Sequence, residues 1–501
     1  MADTKREIER KYESDDSGLP DLTGVAGVET VLDKGVAELD ATYYDTAGQR
    51  LAASAITLRR RTGGSDAGWH LKFPVSEGVR DEIRAPLSDT LPEELAGLVR
   101  SRVRQAELLP VIRLRSARDV RELLDAEGRL LAEVSVDSVR AERLTGGDGS
   151  AQWTEIEVEL ADDGDPTFLD KVEKRLRKAG VRPSASASKL ARALDETAPK
   201  KKREPAALDD PATAGDHVLA YVRTQRDAIV DLDPAVRQDA EDSVHSMRVA
   251  TRRLRSTFKS YGKVLDRTVT DPIGEELKWL AGELGVDRDR EVLNERLSAA
   301  LDDVPHTLVY GDVAGRLSVW AGERPGGASP RLIGVLDSHR YLALLDALDA
   351  VIADPPLLKA AGKDPAKVIP KAVQKDFGKV SALVAQALEL ASGTDRDVAI
   401  HEARKKTKRT RYAAEAAVPA LGKPAKALAK TMKSLQNLLG EHQDSVMARQ
   451  TLLELSAVAH TTGESAFTYG LLYGREERRA AAVEAELPGF WDETKDAASV
   501  L

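Results

Sequence analysis

Glu7-Ile8-Glu9-Arg10-Lys11-Tyr12, close to the start of the chain, is the stretch on which the fold turns. The period of two that a strand imposes puts Glu7, Glu9 and Lys11 on one face and Ile8, Arg10 and Tyr12 on the other. Two carboxylates beside an ammonium suit a divalent cation and the phosphate bound to it. Hard cations take oxygen ligands, and lysine meets phosphate as a point charge. A single E-x-E-x-K is more often an ordinary exposed strand face. What favours the site is that the same alternation recurs further along.

After acidic and Gly-rich turn residues, residues 41–46 form a short β-prone run. Leu58-Arg59-Arg60-Arg61 points Arg59 and Arg61 one way, and Trp69-His70-Leu71-Lys72-Phe73 follows a Gly-Gly turn. Asp81-Glu82-Ile83-Arg84 places Glu82 with Arg84, and Val111-Ile112-Arg113-Leu114-Arg115 aligns Arg113 with Arg115. A helical stretch fills roughly 92–109. Residues 130–139 alternate apolar positions with Glu133, Ser135 and Asp137, and residues 153–160 alternate Glu155, Glu157 and Glu159 with Ile156, Val158 and Leu160. About eight strands with interspersed helices are the pattern of an antiparallel sheet able to close. Asp165-Pro166 opens a further helix with Phe168, Leu169, Val172 and Leu176 as its apolar stripe, ended by Gly180. A short helix follows Ser188-Lys189.

Pairs such as Arg59/Arg61, Arg113/Arg115 and Glu155/Glu157 hold like charges on one side of a strand. That is unfavourable unless a counter-charge lies between them. An eight-stranded barrel has room for one small ligand. A polyanion carrying a divalent metal would neutralise both sets, so a charge-lined tunnel is favoured over solvated faces.

The 501 residues exceed one ordinary domain, and 42% hydrophobic residues suffice for real cores. The absence of cysteine excludes disulfides, thiolate metal sites and cysteine nucleophiles. A charged amino terminus and the lack of any membrane-length apolar run set the expectation of a cytoplasmic protein with no membrane partner. The net charge of -9 argues against a general nucleic-acid binder, yet the basic residues are concentrated. Residues 243–265 and 403–414 contain no acidic residue and six basic ones each.

The ordered motifs Glu7-Ile8-Glu9-Arg10-Lys11, Tyr43-Tyr44-Asp45-Thr46, Leu58-Arg59-Arg60-Arg61, Trp69-His70-Leu71-Lys72, Glu155-Ile156-Glu157-Val158-Glu159 and Ser188-Lys189 resemble the CYTH domain, the family of triphosphate tunnel metalloenzymes. The resemblance covers 1–197 and implies an eight-stranded antiparallel tunnel that acts on triphosphates with Mg2+ or Mn2+. It implies Glu7, Glu9, Glu155 and Glu157 as metal ligands. Lys11, Arg59, Arg61, Lys72, Arg84, Arg113 and Lys189 would bind phosphate, with Asp137 as an interior aspartate. Arg115, Glu82, Glu133 and Glu159 share the strand face with weaker motif support.

Residues 198–213 read as a linker with Lys200-Lys201-Lys202-Arg203 and several prolines. Beyond it, Val244, Met247, Thr251, Leu254, Phe258 and Tyr261 form a helical core stripe. His245, Arg248, Arg252, Arg255 and Lys259 repeat that spacing one residue later, so a basic stripe lies beside the buried one. No glutamate on this helix pairs with the arginines. The segment recurs: His401, Arg404, Lys408, Arg409 and Arg411 match His245, Arg248, Arg252, Arg253 and Arg255, and Leu435, Leu439, Gly440 and Asp444 echo Leu280, Leu284, Gly285 and Asp289. Lys423, Lys426, Lys430 and Lys433 add a basic face to the second copy.

These features are similar to the CHAD domain, over 214–495, with repeats at about 214–325 and 330–495. The resemblance implies an all-α pseudo-two-fold bundle whose basic faces bind inorganic polyphosphate. His245, Arg248, Arg252, Arg253, Arg255, Lys259, His401, Arg404, Lys405, Lys408, Arg409, Arg411, Lys426, Lys430 and Lys433 are the candidate contacts. Anion contact or helix packing is favoured over a metal site for His245, His401 and His442, since guanidinium groups nearby would repel a cation. His217, His306, His339 and His460 have no assigned role. Nucleic acid is the rival polyanion, but the basic faces lack stacking aromatics and base-reading amides. The expectation is a metal-dependent inorganic triphosphatase joined to a polyphosphate-binding domain, associated with polyphosphate granules. The alternatives are a non-catalytic polyphosphate-binding protein, a thiamine triphosphatase or an adenylyl cyclase.

Overall fold

Strand alternation shapes the first half of the chain. The computed structural model describes residues 3–14, 18–198, 211–322 and 329–498, and the chain divides into two units, Met1–Ala206 and Ala207–Leu501. The strands of the first unit are β1 (Asp3–Glu13), β2 (Thr30–Asp45), β3 (Thr57–Thr62), β4 (Gly68–Ser76), β5 (Val79–Pro86), β6 (Leu109–Leu124), β7 (Leu130–Arg143), β8 (Ser150–Leu160) and the two-residue β9 (Arg182–Pro183). Their order is β5-β4-β3-β2-β6-β7-β8-β1-β9, and β5 pairs back to β1. The first eight therefore close into an antiparallel ring, with β9 added beside β1.

Closure gives each strand an inner and an outer face, and the outer faces are covered by helices. Ile156, Val158 and Leu160 of β8 and Tyr12 of β1 pack on Phe168, Leu169, Val172 and Leu176 of α2 (Thr167–Lys178). Helix α1 (Glu93–Val103) sets Leu95, Leu98 and Val99 against Leu58, Leu71 and Ile83. Helix α3 (Lys189–Glu196) starts at Ser188, whose hydroxyl accepts from the Ala191 amide, and packs Leu190 and Leu194 on Ile112, Leu114 and Trp153. These three residues share the inner parity of their strands, so α3 fills one end of the ring. Strand β2 begins at Thr30, well before the run at 41–46. Its first half pairs with the distant end of β6 and is exposed on both faces, which leaves no apolar alternation to read.

The second unit is helical. Helix α4 (Ala214–Arg237) opens on a capping box between Thr213 and Asp216. It is followed by α5 (Ser243–Ser260), α6 (Arg267–Glu283), α7 (Val286–Asp302), α8 (Val313–Ala321), α9 (Pro330–Asp337) and α10 (His339–Ala353). Helices α11 (Pro365–Glu389), α12 (Thr394–Leu421), α13 (Lys423–Thr461) and α14 (Phe467–Ala498) complete it. Met247, Thr251, Leu254, Phe258 and Tyr261 are all buried, as the stripe requires. Most of the expected linker falls on residues 199–210, outside the described residues, and takes Lys200-Lys201-Lys202-Arg203 with it. Among the described residues no helix is long and apolar enough to cross a membrane.

Candidate functional site

The inner face of the ring encloses a cavity of about 640 Å3 lined by ten lysines and arginines and eight acidic residues. Strand β1 contributes Glu7, Glu9 and Lys11, β3 Arg59 and Arg61, β4 Lys72, β5 Glu82 and Arg84, β8 Glu157, and α3 Lys189. The register explains the gathering, because antiparallel partners share a face: Lys11 lies opposite Glu157, Asp137 opposite Glu155, and Lys72 opposite Glu82.

The charges sort into three groups. In the first, Asp137, Glu155 and Glu157 bring carboxylate oxygens within 4.8 Å of one another, all buried. The ammonium of Lys189 stands among them, at 2.9, 2.8 and 2.5 Å. Arg118 donates 2.8 Å bonds to both Asp137 and Glu157, and Lys11 pairs with Glu157 and, at 3.2 Å, with Glu9. Burial pushes the Glu157 carboxyl up, but Lys11, Lys189 and Arg118 override it and hold it well below the usual carboxylate range. An all-oxygen donor set that already surrounds an ammonium fits a hard divalent cation.

The second group is Glu7 and Glu82, bridged by Lys72 and Arg84. Burial raises Glu7 to about 7 against the pull of Lys72. Burial also works to raise Glu82, but His70, Lys72 and Arg59 keep it ionised. His70 Nδ1 lies 2.8 Å from Glu82, and its Nε2 lies 2.9 Å from the Asp66 carbonyl. The third group is cationic. Burial, together with repulsion from Arg59 and Arg118, lowers Arg61 to about 9. Arg61 pairs with Asp66 and Arg59 lies 3.9 Å from Glu82, yet the guanidinium groups still crowd one another, which favours an added anion.

Nine of the expected residues line this cavity: Glu7, Glu9, Lys11, Arg59, Arg61, Lys72, Arg84, Glu157 and Lys189. Asp137 and Glu155 are buried beside it and meet it through Lys189. Within the metal set, Glu155 and Glu157 are joined by Asp137, while Glu9 pairs with Lys11 and Glu7 with Lys72. Arg113 is a correction. It lies opposite Thr42 on the outer face of the ring, and Asp40 binds it at 2.9 and 2.6 Å. Arg115 is also turned outward, 3.7 Å from the same carboxylate, so Asp40 supplies the counter-charge that this pair requires. The inner arginine of β6 is Arg118, which the sequence reading missed. It shares the parity of Ile112 and Leu114, and its signal lay in continuing their alternation through Ser116.

In the second unit the repeated positions have a geometric reason. Arg248 of α5 crosses Gly285 to bind both oxygens of Asp289, at 2.6 and 2.7 Å, and a methyl group on Gly285 would lie 2.4 Å from the guanidinium. Arg404 of α12 passes Gly440 in the same way and lies 3.9 Å from Asp444. Arg248, Arg252, Arg404 and Lys408 draw together from both copies. Burial, followed by repulsion from Arg404, Arg252 and Arg248, lowers Lys408 to about 7. Burial and Arg248 lower Arg252.

Other members of the basic stripes are engaged internally. Arg253 and Arg411 share Glu415, Arg409 binds Asp376 at 2.9 Å, Lys259 binds Asp271 at 3.0 Å, and Lys405 pairs with Glu402. Arg255 lies 3.9 Å from Glu275. The counter-charges missing from α5 thus come mostly from other helices, where helix periodicity cannot show them. His245 is exposed, His401 Nδ1 lies 2.6 Å from Gln443, and Lys426, Lys430 and Lys433 are exposed on α13.

A CYTH domain profile matches residues 5–194 and a CHAD domain profile residues 220–453. Two proteins of Mycobacterium tuberculosis, from strains CDC 1551 / Oshkosh and ATCC 25618 / H37Rv and both named as uncharacterized, are 38% identical to this chain over 96% of its length and 95% of theirs. The solved CHAD domain from the plant Ricinus communis aligns with 60% of this chain and 96% of its own, at 24% identity and a TM-score of 0.43.

Proposed function

This chain belongs to the family that joins a CYTH domain to a CHAD domain, and we propose that its ring hydrolyses inorganic triphosphate with Mg2+ or Mn2+ while its helical unit binds inorganic polyphosphate. The observation that carries the first half is the crowding of Arg59, Arg61 and Arg118 in a cavity lined by Glu157, with the carboxylates of Asp137 and Glu155 buried beside it. Three guanidinium groups that repel one another although Asp66, Glu82 and Asp137 each meet one of them call for a polyanion, and clustered carboxylates call for a metal.

Phosphoryl transfer to water depends on positioning and charge neutralisation more than on covalent chemistry. Arg59, Arg61, Arg118 and Lys11 would hold phosphoryl oxygens, and Lys72 and Arg84 would hold the far end of the chain of phosphates. Asp137, Glu155 and Glu157 would hold the cation, with Glu9 beside them. When bound, that cation supplies Lewis-acid polarisation of phosphoryl oxygens. Lys189, shared among three carboxylates, would exchange them for phosphate oxygens as substrate enters. In the helical unit, Arg248, Arg252, Arg404 and Lys408 offer charge without base-reading groups, which suits polyphosphate, and a protein of this kind would associate with cytoplasmic polyphosphate granules.

The test is phosphate release from tripolyphosphate by the purified chain, with and without Mg2+ or Mn2+. Glu7→Ala/Glu9→Ala is expected to lower release by about 10–100-fold, as loss of groups supporting a metal site does, and full retention overturns the proposal. Thiamine triphosphate and ATP in the same panel separate the organic-substrate readings, and binding of tripolyphosphate without turnover would mark a binding protein. For the helical unit, an oligonucleotide that outcompetes long-chain polyphosphate at equal phosphate and salt would overturn the polyphosphate assignment. Because Glu7 protonates near 7 and its carboxylate occupies Lys72 and Arg84, tripolyphosphate affinity is expected to rise as pH drops from 8 to 6 and both cations are released to phosphate. Titration of Glu7→Gln should show a flattened response.

A further inference from the structure

Asp397 of α12, His442 of α13 and Glu484 of α14 meet inside the helical unit, their ligand atoms within 4.8 Å of one another. The side chain of His442 is fully buried. Its Nε2 lies 3.3 Å from Glu484 Oε1 and 3.4 Å from Asp397 Oδ1. A charge-assisted hydrogen bond from an imidazolium would bring N and O to about 2.7–2.9 Å. Four-coordinate zinc, with ligands at about 2.0–2.1 Å, instead separates neighbouring donors by about 3.3–3.4 Å. The two separations from His442 match the latter, the one to Glu484 being also a long hydrogen bond.

The outer oxygens of the two carboxylates are engaged elsewhere. Arg449 donates to Asp397 Oδ2 at 3.2 Å, while Ser392 at 2.6 Å and Arg396 at 3.2 Å meet Glu484 Oε2. One oxygen of each acid is thereby tied back and the other is aimed at the imidazole. This is how surrounding donors orient the ligands of a metal centre. The sequence expectation set guanidinium repulsion against a metal at His442, but Arg449 and Arg396 are each tied to the carboxylate oxygen other than the one nearest the imidazole.

We infer that Asp397, His442 and Glu484 form a binding site for a divalent transition metal of the zinc class, which braces α12, α13 and α14 together. One nitrogen with two oxygens is a borderline donor set, suited to zinc or cobalt and poorly suited to magnesium. Zinc held by three protein ligands takes water as the fourth. The site belongs to the helical unit and the carboxylates of the ring to the other, and its occupancy does not depend on the reaction proposed there.

The experiment uses the full chain, stripped with chelator, in a background of Glu155→Gln/Glu157→Gln that disables the carboxylate cluster of the ring. Zn2+ is titrated calorimetrically in the presence of excess Mg2+, and Co2+ is titrated by visible absorption. The expected result is about one equivalent of tightly held Zn2+, an intense four-coordinate Co2+ spectrum, and a Tm raised by Zn2+. His442→Gln should weaken Zn2+ by at least about 100-fold and abolish both the Co2+ bands and the Tm response. Asp397→Asn serves as the second variant should the first fail to fold. Absence of Zn2+ binding in this background, a weak six-coordinate Co2+ spectrum, or binding unchanged in both variants would overturn the inference and leave an ion-paired histidine.

Discussion

Glu157→Gln is expected to reduce metal-dependent phosphate release by about 10²–10³-fold, the scale seen when one preorganised charge partner is removed from a reacting centre. Three cations converge on this carboxylate, Lys11 and Lys189 from two elements and Arg118 from a third. An amide of the same shape would turn a donor toward at least one of them. The same substitution should cost about 3–5 kcal/mol of stability, the range for removing one partner of a buried ion pair. Denaturant melts and turnover measured on one preparation separate the two effects. The pH dependence has a definite sign. The folded pKa of Glu157 is depressed, so its contribution is fully present above the unfolded value of about 4.3. It is lost as pH falls through the lower folded value. The variant lacks that contribution at neutral pH and should lose correspondingly less on acidification. Wild-type stability in Glu157→Gln would show that the convergence contributes nothing.

The second large effect concerns Lys408, lowered to about 7 by burial and by three neighbouring arginines. A bound polyanion favours the charged ammonium, so binding takes up a proton wherever free Lys408 is neutral. Polyphosphate affinity is therefore expected to fall by up to about tenfold per pH unit above 7. Lys408→Arg, charged throughout this range, should flatten the profile and bind more tightly at pH 8 and above. Lys408→Met should be weak and equally flat. Without ligand the linkage runs the other way. The unfolded lysine, near 10.4, binds protons more readily than the folded one, so the stability of the helical unit should rise as pH climbs from about 7 toward 10. Fluorescence anisotropy with labelled polyphosphate at constant ionic strength reads the binding, and an unchanged slope in Lys408→Arg rules out this lysine as its source.

Much of the architecture was legible because a strand has a period of two and a helix one of 3.6. Alternation in Glu7–Lys11 and Glu155–Glu159 marked charged inner faces, and the outer residues Ile156, Val158 and Leu160 found α2 as their apolar cover. Spacing alone assigned Met247, Thr251, Leu254 and Phe258 to a helical core. Periodicity says which residues share a face. It cannot say whether that face is inside a ring, because closure depends on strands that pair far apart in sequence. Arg113 and Arg118 show the consequence: both lie on β6, both are charged, and only the pairing of the whole strand with β2 and β7 turns Arg118 inward and leaves Arg113 to Asp40. The helical unit repeats the lesson. The basic stripe of α5 was evident in its composition, but which arginines stay available was decided by Asp289 and Glu415, brought from α7 and α12 by tertiary packing. One-dimensional order carried the periods and the repeat, and three-dimensional order chose the counter-ions, since a charge is neutralised by whatever lies within a few ångströms, however distant along the chain.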